Sequence, residues 1–261
     1  MSRTLLSLIL RNKKENLSFL AGLIVISVIY SISYMKVSYV KFFGEKCIAD
    51  AFRFINRCDF IAYIIIPFML YYAFITRDEY DVMYIVKRKS KKEIWLLGLL
   101  NDIKIALVYS IILFVIESVI ARCLWGNVEL INWSSYMSCY SIASHGEISD
   151  IGISLVVLKV FLLFCTKITV GLFFSRFVVW ITNIRLLSII VVVFSAVFDT
   201  WAAIVIKPVF WGRFLYNIND WGTNTLLSYR CVYWVMIIAV IIVIAGWMYS
   251  EHKEFIDNEH V

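Results

Sequence analysis

The sequence predicts an all-α, polytopic membrane protein with six transmembrane helices, and three observations predict it. The 261 residues are 62% hydrophobic and only 17% charged, against about a quarter charged in soluble domains. The apolar residues lie in blocks of about twenty, the length that crosses about 30 Å of hydrocarbon as a helix. These blocks are apolar on every face rather than alternating in segments of about ten, which excludes a transmembrane β-barrel.

The opening "MSRTLLSLILRNKKEN" sets Leu5, Leu6, Leu8, Ile9 and Leu10 ahead of Arg11, Lys13 and Lys14. That pattern suits a short helix lying in the membrane interface. Residues 16–35 are free of charge and no small-residue cleavage signal follows, so the block reads as a retained first span. The second span, 60–76, contains Pro67, a residue that kinks a helix and that neighbouring helices tolerate by satisfying the freed backbone group. Spans three to six fall at about 103–124, 153–175, 186–205 and 231–250.

Six spans place both termini on one side. Arg3, Arg11, Lys13 and Lys14 precede span one, Arg77 and five further cations lie between spans two and three, and Arg176 and Arg185 follow span four. By the positive-inside rule this side is the cytoplasm. The first opposite connection also holds Lys36, Lys41, Lys46, Arg53 and Arg57, whereas the second, 125–152, holds no Lys or Arg. Tryptophans fall near the predicted span ends: Trp125, Trp133, Trp201, Trp211, Trp221 and Trp234 outside, Trp95, Trp180 and Trp247 inside. The chain reads as one transmembrane domain, 1–261, multi-pass in the cell membrane. Its net charge of +6 flanks the spans, where cations anchor to lipid headgroups, so nucleic acid is excluded as a partner.

The densest charge is "YIVKRKSKKEIWLLG", residues 84–98, in which Lys87, Arg88, Lys89, Lys91 and Lys92 stand directly before Ile94 and Trp95. Ser90 and Glu93 have the S-x-x-E spacing of a capping box, so a helix is expected to start here and run into span three. Cations at the positive end of a helix cost about 0.3 to 1 kcal/mol each, and lipid phosphate or an acidic protein surface would compensate them. From charge alone this basic knot reads first as an anchor against anionic lipid. The acidic Asp78, Glu79 and Asp81 precede it in a connection longer than two neighbouring spans require.

In this order of parts the sequence resembles the six-span permease subunits of ABC-2-type exporters, in particular the small permeases of lantibiotic and antimicrobial-peptide export or immunity systems. The stretch that carries the likeness is "RDEYDVMYIVKRKSKKEIW": acidic residues, an apolar stretch, a basic-Ser-basic-basic run and a tryptophan, leading into span three. In that family the connection is similar to a coupling helix that fits a groove of the ATPase subunit. The resemblance therefore implies ATPase-coupling roles for Lys87, Arg88, Lys89, Ser90, Lys91, Lys92, Glu93, Ile94 and Trp95. It also implies a second permease subunit, identical or related, and re-entrant helices within residues 206–230. A second cytoplasmic contact would fall between spans four and five, where "RFVVWITNIR", 176–185, is short.

No G-x-x-x-x-G-K-[ST] loop occurs, so the resemblance requires a separate ATPase chain carrying ATP and Mg, and this chain itself is expected to bind no cofactor and to catalyse nothing. His145, His252 and His260 form no metal-binding spacing, and no metal site is expected. Of the six cysteines, Cys47 and Cys58 are spaced either to close a short loop or to remain isolated thiols. Asn132-Trp133-Ser134 is a glycosylation sequon.

Charges inside the spans are the remaining signal. Glu117 lies about 21 Å along span three, Asp199 about 20 Å along span five, and Lys159 about 9 Å from the outer end of span four. All three reach one level, so a Glu117–Lys159–Asp199 cluster could face a translocation path or a subunit seam. Alternatively Lys159 snorkels to the outer headgroups and Glu117 pairs with Arg122. Lys167 lies deeper in span four and either snorkels inward or points into the bundle. The functional expectation is a permease subunit exporting an amphipathic peptide or lipid-like substrate; the alternative is a stand-alone membrane immunity or sensor protein that binds a peptide without ATP.

Overall fold

The computed structural model describes residues 21–22, 24–33, 44–55, 60–76, 90–205 and 229–252. Among them the protein is all-α: helices account for every regular element, and the sole extended pairing is an isolated bridge between Glu45 and Ser138. In chain order the elements are α1 (Ile24–Ser33), α2 (Ile48–Ile55), a π-helical turn (Ile61–Ile65) running into α3 (Ile66–Thr76), α4 (Lys91–Trp125), α5 (Cys139–Ala143), α6 (Ile153–Thr182), α7 (Arg185–Val205) and α8 (Tyr229–Tyr249). The expected interfacial helix before span one and the segment 206–228 lie outside the described residues.

Two helices, α4 and α6, are long and apolar enough to cross a membrane. With 35 and 30 residues they extend about 52 and 45 Å, well beyond a hydrocarbon core of about 30 Å. The α6 helix is the axis of the bundle and packs against α2, α3, α4, α7 and α8. That position explains its composition, because apolar residues cover its whole circumference and even Lys159, Lys167 and Arg176 are buried along it.

Pro67 sits immediately after the π-helical turn. Proline has no amide to donate and its ring crowds the carbonyl four residues back. The chain answers by widening the preceding turn, where the Ile66 amide donates to the Ile61 carbonyl, five residues earlier. The expected perturbation at Pro67 thus takes the form of a local π-bulge, one of the identifiable ways a helix accommodates such a defect.

The fourth element differs from its sequence-based boundary. Residues 176–185 read as a connection from sequence, with Arg176 and Arg185 as flanking cations; instead α6 continues to Thr182. It ends on Asn183, which adopts a left-handed conformation (φ 61°) and donates its amide to Val179 O. Only Asn183 and Ile184 separate α6 from α7. The physical reason is that Arg176 is not a solvent-facing charge at all.

Residues 44–50 and 126–152 pack together at the end of α4 opposite its Ser90 cap. Glu45 donates its amide to Met137 O (2.8 Å) and accepts from the Cys139 amide (3.0 Å), while the Ile48 and Ala49 amides donate to Glu129 O and Leu130 O. Trp133, expected as an interfacial residue, is fully buried, stacks on Tyr140 at 4.6 Å and donates from Nε1 to Asp50 Oδ1 at 3.0 Å. The sequon asparagine, Asn132, is also buried and donates its side-chain amide to Glu45 O. The nitrogen that a glycan would need is therefore already engaged.

Cys47, within residues 44–50, carries a free, buried thiol. Burial and the neighbouring Asp50 carboxylate push the thiol up, well above its ordinary range, so thiolate is scarce at neutral pH. Cys123 is free and exposed. A maleimide titration of the folded chain at neutral pH is expected to modify Cys123 and to leave Cys47, Cys139 and Cys165 untouched until denaturant is added, as peptide mass mapping would read out.

Candidate functional site

The residues singled out at the basic knot divide at the edge of the described structure. Lys87, Arg88 and Lys89 lie outside it; Ser90, Lys91, Lys92, Glu93, Ile94 and Trp95 lie within it, at the start of α4. Ser90 is the N-cap: extended (φ −152°, ψ 152°), its side-chain oxygen accepts from the Glu93 amide at 3.1 Å. One of the four amides that a helix start leaves orphaned is satisfied in this way.

The face of α4 that follows this cap is buried at once. Ile94, Trp95 and Leu99 form a second, smaller core with Phe173 and Trp180 of α6 and Ile242 of α8. Trp95 is the centre of that joint. Its indole is fully buried, lies 5.4 Å from the Trp180 ring and 6.4 Å from the Phe177 ring, and donates from Nε1 to Val243 O at 3.2 Å. The ring rests on Gly246, where a Cβ would collide with the indole. Glycine here lets α8 come within contact of a tryptophan face. Trp95 and Trp180, expected as interfacial anchors, are thus packed against each other inside the bundle.

One turn further along, Arg176 of α6 crosses to α4. Its Nε donates to Asp102 Oδ2 at 2.6 Å and its NH2 group to Asp102 Oδ1 at 2.8 Å, with both residues buried. This two-pronged geometry is the strong form of an arginine–carboxylate pair. It depends on Gly98, because a Cβ there would sit within the guanidinium. Gly98→Ala is accordingly expected to displace Arg176 and to cost about 1 to 3 kcal/mol, the range for overpacking a filled site, measured as the loss of thermal stability in detergent micelles.

Lys92 faces the other way, toward the end of the chain. Its Nζ meets Glu251 Oε1 at 2.5 Å and lies 5.4 Å from the centre of the Trp247 ring. The hydrogen bond and charge of Lys92 hold the Glu251 carboxyl below its ordinary range. A depressed carboxyl of this kind keeps its partner at neutral pH and loses it only as acid protonates the group. An acidic residue of the same chain thus compensates one of the cations that stand at the positive end of α4.

The charges within the predicted spans are distributed differently from the expected cluster. Glu117 is buried on α4, and its Oε1 accepts from Ser31 Oγ of α1. Among the described residues it forms no ion pair with Lys159 or with Arg122, which is exposed. Lys159 and Lys167 are both buried on α6. Asp199 lies on α7, and its side chain falls outside the described residues. No group of three or more His, Cys, Asp or Glu arranged to hold a metal occurs among the described residues.

Sequence reasoning missed Asp102, Arg176, Gly98 and Gly246. The one available signal was the pair of charges inside long apolar helices, one acidic on α4 and one basic on α6, which demand a partner when buried. Comparison of the chain with protein-family models, with curated proteins and with solved structures finds no match. The site's chemistry therefore rests on its own geometry.

Proposed function

We propose that this chain is the permease subunit of an ABC-type exporter: a six-span protein of the cell membrane, both termini cytoplasmic, that pairs with a second permease subunit and with separate ATPase chains. It moves an amphipathic substrate, a peptide or lipid-like molecule, outward; ATP and Mg belong to the partner ATPase. The observation that carries this reading is the joint at Trp95. A cationic segment that merely anchored to lipid would need no rigid connection to the bundle. Here the first turn of α4 is capped by Ser90 and keyed into α6 and α8 within five residues, so a push on the knot would reach three helices at once.

The membrane setting is supported by the outward faces of the helices. Along α4, Leu96, Leu100, Leu107, Ile111, Val115 and Val119 are all exposed, a stripe interrupted by the exposed Lys104 and uniformly apolar over about 18 Å from Leu107 to Val119. Leu186, Ile190, Phe194 and Phe198 form a similar stripe on α7, and Met236, Ile237, Val240, Ile241 and Ile244 one on α8. A water-soluble helix carries polar residues on that side. The burial of Asp102 with Arg176 fits the same setting, since charges within a bundle in lipid are expected to pair.

Neutralising Lys87, Arg88, Lys89, Lys91 and Lys92 together separates this reading from its alternative. Loss of an assembled ATPase at unchanged membrane insertion supports the permease. A changed orientation with no partner lost supports a lipid anchor, and with it a stand-alone immunity or sensor protein.

A further inference from the structure

The two buried acids of α4 are treated in opposite ways. Asp102 receives a guanidinium through two hydrogen bonds. Glu117, about 12 Å from the C-terminal end of the helix, receives among the described residues the hydroxyl of Ser31 alone, and its second oxygen, Oε2, has no hydrogen-bond partner among them although the residue is 1% exposed. A bare carboxylate in apolar surroundings carries a desolvation cost of several kcal/mol at least, so its charge has to be matched.

The facing helix supplies a second unsatisfied oxygen. Ser27 stands four residues before Ser31 on α1, on the same face, is fully buried, and its Oγ has no partner among the described residues. Several hydroxyls elsewhere in the long helices are spent on their own backbone, Ser110 on Ala106 O, Ser118 on Phe114 O and Thr169 on Cys165 O, and Ser175 donates to Ser188 Oγ. Ser27 does neither among the described residues, and Ser31 turns instead to Glu117. The seam between α1 and α4 is otherwise apolar, lined by Val28, Ile32, Ile116 and Ile120.

Other charges do not neutralise this seam. On the elements that pack against α4, Asp50 of α2 accepts from Trp133 and Cys47, Arg176 is held by Asp102, and Lys159 and Lys167 of α6 form no ion pair with Glu117. The α1 face adds hydroxyls and no charge among its described residues.

We infer that Glu117, Ser31 and Ser27 form a buried site for a single small monovalent cation, a proton or an alkali ion, between α1 and α4. The carboxylate supplies the charge and the two hydroxyls supply neutral oxygen ligands. This site is independent of the basic knot, lies toward the other end of α4, and stands whether or not the chain couples to an ATPase.

The test uses the full chain in phosphatidylcholine vesicles and the apolar reagent dicyclohexylcarbodiimide, which reaches protonated carboxyls inside a membrane. The Glu117 carboxyl oxygen adds to the central carbon of the reagent and the proton to one of its nitrogens; rearrangement leaves a stable acylurea on Glu117 that peptide mass mapping detects. Labelling is followed over about pH 5 to 9 in sodium, potassium or choline chloride, together with the Tm in each salt. Labelling that falls with rising pH and ignores the salt identifies a proton. Labelling suppressed, or Tm raised, by sodium or potassium relative to choline identifies an alkali ion. Glu117→Gln should remove the adduct and any salt effect. Ser27→Ala with Ser31→Ala should shift the labelling midpoint by about one pH unit or weaken alkali protection about tenfold. The inference is overturned by an absent adduct with identical Tm in all three salts, by equal labelling with a water-soluble carbodiimide, or by a double-serine variant that behaves as wild type.

Discussion

Replacing Arg176 with alanine is expected to destabilise the folded chain by about 3 to 5 kcal/mol, the cost of leaving a buried charge without its partner. Asp102 is 0% exposed and accepts two charged hydrogen bonds from Arg176. With the guanidinium gone, the buried carboxylate would lose the cation that balances its charge. Asp102→Leu combined with Arg176→Met should recover most of the loss, because replacing both partners of a buried pair by apolar groups of similar volume is often neutral or stabilising. Thermal unfolding of the four proteins in one detergent gives the comparison as a double-mutant cycle. If Arg176→Ala alone unfolds with wild type, the pair is not buried as described. If the double variant is as unstable as either single one, the loss comes from packing rather than charge.

The second large effect is expected at Trp95. Trp95→Ala removes a ring that touches α6 at Phe177 and Trp180 and α8 at Gly246 and Val243, and should cost about 3 to 5 kcal/mol. Trp95→Phe keeps much of the apolar volume but loses the donor to Val243 O, so its loss of stability should be clearly smaller. Under the proposed function the two variants also separate stability from transmission. Trp95→Phe, still folded, is expected to retain a bound ATPase while transport falls, because the contact surface of Lys87 to Glu93 is intact and the joint behind it is loosened. Gly246→Ala, which pushes on the same ring from α8, should give the same phenotype. Full transport by a folded Gly246→Ala chain would show that the joint plays no part in coupling.

What the sequence made legible was whatever is local. The apolar blocks located α4, α6, α7 and α8 because hydrophobic length is a property of consecutive residues. The start of α4 at Lys91 was legible from Ser90 and Glu93, three residues apart, and the Ser90 cap is formed. What stayed hidden were pairings between distant segments. Asp102 and Arg176 are 74 positions apart, and a lone arginine at the end of an apolar block is indistinguishable from a flanking cation until its partner is known. For that reason α6 was ended seven residues early. Trp133 and Asn132 look like surface residues in a polar connection, yet residues 44–50 fold back over them. The seam of Glu117 was half legible. Its acid was recognised as an intramembrane charge, but Ser31 is one serine among many and nothing local marks it as the partner.

The two ends of α4 differ in how their charges are held. At the basic end two cations are matched, Lys92 by Glu251 and Arg176 by Asp102, and Trp95 packs against α6 and α8. Toward the other end an acid and a serine keep unsatisfied oxygens inside an apolar seam. Under the proposed function and the inferred cation site, the end that receives force and the end that holds a small cation belong to the same 35-residue helix.

The most direct measurement is gentle purification of the tagged full chain from its native membrane, followed by mass identification of whatever remains bound at a fixed ratio. The account predicts a separate chain bearing a G-x-x-x-x-G-K-[ST] loop, present with the wild-type protein and lost when the five knot cations are neutralised. A folded, membrane-inserted chain that emerges with no such ATPase would contradict it and leave the knot as a lipid anchor.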